Sequence, residues 1–285
     1  MPMSDQAELP WVVVDPIVEN ALREDLASGD ITTSACIDAS ATAVAHAVAR
    51  HDMVACGARV AARVFQTIDP SLRFAVVAED GSARKVGDRL WTVSGSARSV
   101  LMGERVALNL VQRMTGIASV TRSYVDQVPK GSSTRITDTR KTTPGLRVLE
   151  RYAVRTGGGK NHRDNLGSAV LIKDNHIAAC GGVKEAISRA RARAPHTSKI
   201  ECEVDSLAQL VIAIEAGADI VLLDNMSTET VKEAVTIAAG RVFLEASGGI
   251  TLARISELSN AGVHAISVGA LTHSVKAADI GLDFE

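Results

Sequence analysis

From Gly116 onward the 285-residue chain alternates short β-rich apolar runs with amphipathic helical segments, and this alternation restricts the fold more than any other feature. The runs stand at 168–172, 199–204, 219–223, 241–244 and 263–268, with a weaker one at 134–137. Helical spacing follows most of them, at 183–193, 207–216, 228–238 and 252–260. Interior parallel strands need apolar side chains on both faces, and each helix supplies the crossover to the next strand. Repeated βα units therefore predict a parallel sheet covered by helices. Six such strands fall short of the eight that close a full barrel, so an open or incomplete (β/α) barrel is expected.

The chemistry-bearing residues fall where these strands end. Read toward their C-termini, the strands present Asp138 with Arg140-Lys141, then Lys173, Glu203 with Asp205, Asp224-Asn225, Glu245 with Ser247-Gly248-Gly249, and Gly269-Ala270. In a (β/α) barrel these positions converge on one rim, which predicts an active site there. They separate by type. Arg140, Lys141, His162, Arg163 and Lys173 offer cations for carboxylates or phosphates. Glu203 and Asp224, on neighbouring strands, offer oxygens to a hard cation such as Mg²⁺ arriving with a phosphate-bearing substrate. Ser247-Gly248-Gly249 and Gly269-Ala270 let backbone N–H groups approach a phosphate, at the late-strand position where barrels often bind one.

Charge is concentrated in the same region. Residues 135–176 carry nine Lys/Arg against four Asp/Glu, whereas the whole chain has a formal charge of −2. A local excess of this kind suits a pocket for a small polyanion, while nucleic acid would call for a broad basic face. Aromatic residues are 3% of the chain, too few for a base-stacking platform. The start, MPMSDQAELP, has no basic-then-apolar leader and no run approaches a membrane span, which places the protein in the cytoplasm. The cysteines, Cys36, Cys56, Cys180 and Cys202, form no CxxC pair and are expected to be reduced thiols.

The N-terminal half reads as a compact α+β domain. Asp15-Pro16 looks like a helix start, Gly29-Asp30-Ile31-Thr32-Thr33 a polar loop, and 59–68 and 99–114 helical, with strand-like runs at 72–78 and 89–93. Each candidate also has a plain alternative. Arg105 suits a solvated helix face, His162 a buried histidine satisfying carbonyls, and Gly157-Gly158-Gly159 a flexible loop. Lys173 at a strand end would also suit a Schiff-base lyase.

Several words taken together resemble one family. Thr139-Arg140-Lys141-Thr142-Thr143-Pro144-Gly145, Gly157-Gly158-Gly159 with Asn161-His162-Arg163, Ile172-Lys173-Asp174-Asn175-His176, Glu203-Val204-Asp205, Leu223-Asp224-Asn225, Ser247-Gly248-Gly249 and Val268-Gly269-Ala270-Leu271-Thr272-His273 are similar to quinolinate phosphoribosyltransferases. So are Arg23-Glu24-Asp25-Leu26, Gly29-Asp30-Ile31-Thr32-Thr33 and Gly103-Glu104-Arg105. The resemblance implies an N-terminal α/β sandwich over 1–115, completed by 274–285, and an open (β/α) barrel over 116–273. It implies transfer from phosphoribosyl pyrophosphate to quinolinate with Mg²⁺, yielding nicotinate mononucleotide, pyrophosphate and CO₂ in NAD biosynthesis. It further implies a homodimer in which Arg105 reaches the neighbouring subunit's site, with higher association left open. On the matching positions, Arg105, Arg140, His162, Arg163 and Lys173 line the quinolinate site with Lys141. Glu203 and Asp224 face the ribose and metal, and Ser247, Gly248, Gly249, Gly269, Ala270 and His273 the 5′-phosphate. Lys141, Lys173, Glu203 and Asp224 are the catalytic set. The chain departs from the family's pattern at Asp164-Asn165, where an apolar residue and a glycine are usual.

Overall fold

The computed structural model describes residues 9–285; Met1–Glu8, most of the stretch searched for a leader, lie outside them. The first helix, α1 (Trp11–Leu26), buries Val14, Val18 and Leu22. It starts a turn before the expected Asp15-Pro16. Pro16 sits inside it and lacks the N–H that would bond to the carbonyl of Val12, a residue left 84% exposed. The expected polar loop is instead the start of α2 (Ile31–Cys36). The Asp30 side chain accepts the Thr33 N–H at 2.8 Å, a cap that starts the helix. Next come β1 (Thr42–Ala49), β2 (Met53–Val54), α3 (Ala58–Ile68), β3 (Arg73–Val76), β4 (Ala83–Arg84), β5 (Arg89–Ser96) and the long α4 (Ala97–Val125). Beyond it the chain runs β6 (Arg135–Thr137), α5 (Arg147–Thr156), β7 (Val170–Ile172), α6 (Asp174–Cys180), α7 (Val183–Arg193) and β8 (Ile200–Val204). It closes with α8 (Leu207–Glu215), β9 (Ile220–Asp224), α9 (Thr228–Ala238), β10 (Phe243–Ser247), α10 (Leu252–Ala261), β11 (Ala265–Ser267), α11 (Ala270–His273) and β12 (Ile280–Phe284).

Two compact units result. The first takes the chain to Arg122, Thr142–Gly158 and Ala270–Glu285; the second takes Ser123–Lys141 and Gly159–Gly269. Helix α4 runs unbroken through residue 115, so the change of unit falls near its C-terminal end.

The first unit is built on an antiparallel sheet in the order β12-β1-β5-β3. The last strand returns to pair with β1, from Ala45 opposite Phe284 to Ala49 opposite Ile280. Phe65, Phe74 and Trp91 stack along the core with ring centroids 6.0 and 6.1 Å apart. Helix α5 is fixed by Glu150, which is fully buried and accepts from Arg113 Nε and Nη2 at 3.0 and 2.9 Å. Arg113 also reaches the Thr272 carbonyl at 2.6 Å. Gly157 ends α5 against α4: a Cβ there would stand 2.5 Å from the Ala118 carbonyl oxygen. The first glycine of the triplet is thus a close-packing position, where a flexible loop was the alternative. Helix α5 also carries Arg147, Arg151 and Arg155, so three of the nine clustered cations belong to this unit.

The second unit is the parallel sheet, six strands in the order β6-β11-β10-β9-β8-β7. All neighbouring pairs are parallel, and β6 and β7 form the two ends, giving an open barrel. Every strand expected from the sequence is present. Buried Ile136, Ile172, Cys202, Val221, Leu223, Leu244, Ala246 and Ile266 fill the sheet as apolar runs should. The sheet curls strongly, because carboxylates on β8 and β10, two strands apart, meet over one face.

Candidate active site

Strand register decides which side chains share that inner face. Leu171 pairs with Glu201, Glu203 with Leu222, Glu245 with Leu222 and with Ala265, and Ser247 with Asp224. Paired residues in parallel strands point the same way, and alternate residues along one strand repeat that direction. Glu201, Glu203, Asp224, Glu245 and Ser247 therefore face one interior in two layers. Lys173, one residue past β7, joins the outer layer: its Nζ stands 3.2 Å from Glu203 Oε2. His176 Nδ1 accepts the Lys173 N–H at 3.0 Å and fixes the turn into α6.

The deeper layer is a floor of buried carboxylates. Glu201 and Glu245 are each 4% exposed and Asp138 is fully buried. Asp138 Oδ1 accepts the His162 N–H at 2.7 Å and its Oδ2 accepts from Asn161 Nδ2 at 2.5 Å. Lys160 bridges to Thr137 as a short parallel extension beyond β6. This segment delivers the His162 ring over the floor, with Nε2 3.1 Å from Glu201 Oε2 and 3.5 Å from Glu245 Oε1. Its Nδ1 faces the Arg163 N–H at 2.7 Å, so both ring nitrogens have protein partners.

Protonation follows from this crowding. Burial, and then the Glu201 charge, push the Glu245 carboxyl up to about 7. Burial opposes charge on His162, but the hydrogen bond to Glu201 and the charges of Glu245, Glu201 and Asp138 outweigh it and raise its pKa. Both directions mean that the cluster retains an additional proton near neutrality, held jointly. With the Arg163 amide directed at Nδ1, the Glu245 carboxyl is the better seat for it.

Arg163 and Arg140 supply the cationic wall. Burial, then the neighbouring Arg140 guanidinium, pulls Arg163 below the usual arginine range. Arg163 Nη1 donates to the Ala169 carbonyl at 3.1 Å, which holds the fork in place. Two guanidinium groups brought this close favour an anion that can bind both. Lys141 is exposed just beyond them, its N–H bonded to Thr139 Oγ1 at 3.1 Å. Asp164 and Asn165 are exposed and build a turn closed by Ser168 Oγ, which accepts their N–H groups at 2.9 and 3.2 Å.

At the end of β10, Ser247-Gly248-Gly249 leave the strand with φ of 84° and 57° at the two glycines. Gly269 follows β11 in the same unit. Ala270 and His273 begin and end α11, and Arg105 is exposed on α4; these three belong to the first unit. His273 Nδ1 lies 2.6 Å from Ser274 Oγ. Cys202 is fully buried, with burial pushing its thiol up to about 11, so it remains an inert thiol.

Two sets of ligating atoms can be compared for a metal. The His162, Glu201 and Glu245 atoms lie within 4.8 Å of one another. That set is buried and includes an imidazole, which does not suit Mg²⁺. Glu203 and Asp224, partly exposed on adjacent strands, offer only oxygens, the ligand type that suits Mg²⁺. Sequence reasoning missed the roles of Asp138, Glu201, Glu245 and Asn161. The alternation Glu201/Glu203 and Glu245/Ser247 was the signal that each strand carries one residue deep and one at the rim.

Comparison with known proteins agrees with this architecture. The chain matches family models described as the quinolinate phosphoribosyl transferase N-terminal domain over residues 30–115 and C-terminal domain over 117–283. It is 43% identical over 267 residues to a probable nicotinate-nucleotide pyrophosphorylase (carboxylating) from Bacillus subtilis, covering 94% of this chain and 92% of that one. The nicotinate-nucleotide pyrophosphorylase (carboxylating) from Mycobacterium leprae is 44% identical over 93% of this chain and 95% of its own. The crystal structure of NadC from Streptococcus pyogenes superposes with a TM-score of 0.93 at 43% identity, covering 98% of this chain and 99% of that one. With both family domains matched in order along nearly its whole length, the chain belongs to the quinolinate phosphoribosyl transferase family.

Proposed function

We propose that the rim at the C-terminal ends of β6 to β11 transfers the phosphoribosyl group of phosphoribosyl pyrophosphate to quinolinate, with decarboxylation to nicotinate mononucleotide for NAD biosynthesis. The observation that carries this is the division of one interior face. The strand ends of this one unit bring a guanidinium pair, the Lys173–Glu203 pair with Asp224, and a glycine loop to the same sheet. A dicarboxylate, a ribose and a phosphate need these three environments.

In this assignment Arg140 and Arg163, with Lys141, hold the two carboxylates and aim the ring nitrogen at ribose C1. His162 forms the wall behind them and, through its bonds to Asp138 and the Glu201–Glu245 floor, fixes the Arg163 backbone. Glu203 and Asp224 accept from the ribose hydroxyls and favour the positive charge that develops on the sugar as the C1–O bond to pyrophosphate breaks. Lys173 balances the departing negative charge. Ser247, Gly248, Gly249, Gly269 and Ala270, with His273, receive the 5′-phosphate. Glu203 and Asp224 would hold Mg²⁺, which when bound neutralises pyrophosphate as it leaves. The nitrogen lone pair forms the new C–N bond and leaves a pyridinium. The C–CO₂ bond at the adjacent carbon then breaks, its electron pair staying on the ring, where a proton replaces the CO₂. No side chain need act as a base, so the cations contribute mainly by positioning.

The Schiff-base alternative for Lys173 is weakened by its pairing with Glu203, whose Oε2 engages Nζ at 3.2 Å. Arg105 and a homodimer with shared sites belong to the same proposal, supported by exposure of that side chain on α4. No helix among the described residues is long and apolar enough to cross a membrane, which accords with the proposed cytoplasmic location. The test is incubation with quinolinate labelled in its 2-carboxylate, phosphoribosyl pyrophosphate and Mg²⁺. Labelled CO₂ and nicotinate mononucleotide should appear in equal amounts; folded protein yielding neither would overturn the assignment.

A further inference from the structure

Asn225 has a left-handed backbone conformation, uncommon for a residue other than glycine and one that asparagine tolerates best. Its φ is 54°, and Ala239 is the other non-glycine residue with positive φ among the described residues. Ala239 ends a helix, where that geometry is routine, whereas Asn225 directly follows Asp224 at the end of β9. The turn is held from two sides. The Asn225 N–H donates to the Ser247 carbonyl at 2.9 Å, tying it to the first residue of the glycine loop. The side chain then folds back so that Nδ2 donates to Asp224 Oδ2 at 2.7 Å. Its other face lies flush against Gly248: a Cβ there would stand 2.2 Å from Asn225 Oδ1, 2.5 Å from Cγ and 2.8 Å from the backbone nitrogen. Gly249 follows with its own φ of 57°. The absence of a side chain at residue 248 is therefore a requirement of Asn225 as much as of any phosphate.

We propose that Asn225 is a positioning residue which sets the Asp224 carboxylate and the Ser247-Gly248-Gly249 loop as one unit, so that the sugar and phosphate of the donor are gripped in register. This rests on the transferase assignment above, because it gives Asp224 the ribose and the loop the 5′-phosphate. Without the amide, Asp224 would turn freely about its side-chain bonds, and the loop would lose the surface on which Gly248 rests. The quinolinate end, served by Arg140, Arg163 and Lys141, has no part in this contact. The effect should fall on one substrate.

The test is steady-state kinetics of the full chain with both substrates for wild type, Asn225→Gly and Asn225→Asp, together with thermal unfolding. Glycine adopts the turn without strain and removes only the amide; aspartate keeps the shape but turns the donor into an acceptor facing Asp224. Loss of a hydrogen bond to a charged group predicts that KM for phosphoribosyl pyrophosphate rises about ten- to a hundredfold in the glycine variant, and further in the aspartate variant. KM for quinolinate should stay within about twofold, and the glycine variant should melt with the wild type. A wild-type KM for phosphoribosyl pyrophosphate in either variant, or an equal rise in both KM values, overturns the proposal. A wild type that forms no nicotinate mononucleotide counts instead against the transferase assignment, and binding of phosphoribosyl pyrophosphate by calorimetry then decides the role of Asn225 with the same variants.

Discussion

Replacing Glu245 with Gln offers a quantitative test of the buried floor. In the folded protein this carboxyl is pushed from its ordinary 4.5 up to about 7, chiefly by burial and by the Glu201 charge. Between those two pH values the folded state binds a proton that the unfolded state has already released. The sign follows directly: stability due to this group is fully present below pH 4.5 and is lost as pH rises through about 7. At about 1.4 kcal/mol per pH unit the total loss is about 3 kcal/mol, a figure shared with His162 because the two groups titrate together. Glutamine has the same shape and keeps a donor where the protonated acid had one, without a proton to lose. The variant should match the wild type near pH 5 and exceed it by about 3 kcal/mol at pH 8. Urea unfolding at half-unit steps from pH 5 to 8 gives both curves, and their difference cancels the groups that do not titrate with Glu245. A difference that stays flat, or that grows in favour of the wild type as pH rises, would show that Glu245 does not hold the proton.

Three further outcomes are expected. Lys173→Ala should cost less than about 1 kcal/mol of stability, since its partly exposed pair with Glu203 is screened by solvent. It should nevertheless lower kcat/KM by about a thousandfold, because a cation about 4 Å from developing charge at an effective dielectric of about 20 is worth about 4 kcal/mol; a variant within tenfold of wild type would remove Lys173 from the catalytic set. Gly157→Ala should lower stability by about 1–3 kcal/mol, read as a fall in melting temperature, because its Cβ meets the Ala118 carbonyl oxygen at 2.5 Å; an unchanged melting temperature would contradict that packing. An Arg105→Ala chain and a Lys173→Ala chain, each inactive alone, should recover part of the activity when refolded together, and no recovery would argue against sites shared between subunits.

The second unit was legible because parallel strands must be apolar throughout. Ile172, Val221, Leu223, Leu244 and Ile266 announce themselves in the sequence, and the charged residue ending each run marks the rim. The first unit was less so. Asp15-Pro16 looked like a helix start because both residues favour one, yet the buried stripe Val14, Val18 and Leu22 runs through them and α1 begins at Trp11. Asp30 capped a helix too short to show a period. Helix α5 was hidden for a different reason: its arginines were read only as part of a basic stretch, while its fold is decided by Glu150, whose partner Arg113 lies far back in the sequence. The site divides in the same way. Lys173, Glu203, Asp224 and the glycine loop could be read from strand ends. The Asp138, Glu201 and Glu245 floor depends on strands β8 and β10 curling toward each other across β9, a long-range property that no local spacing encodes.

A crystal structure of this protein with quinolinate and a non-reactive analogue of phosphoribosyl pyrophosphate tests the division of the rim most directly. The two ring carboxylates should lie against Arg140 and Arg163, the ribose hydroxyls against Glu203 and Asp224, and the 5′-phosphate against the backbone of Ser247-Gly248-Gly249. Ligands bound with the dicarboxylate at the glycine loop, or away from this face altogether, would contradict the account.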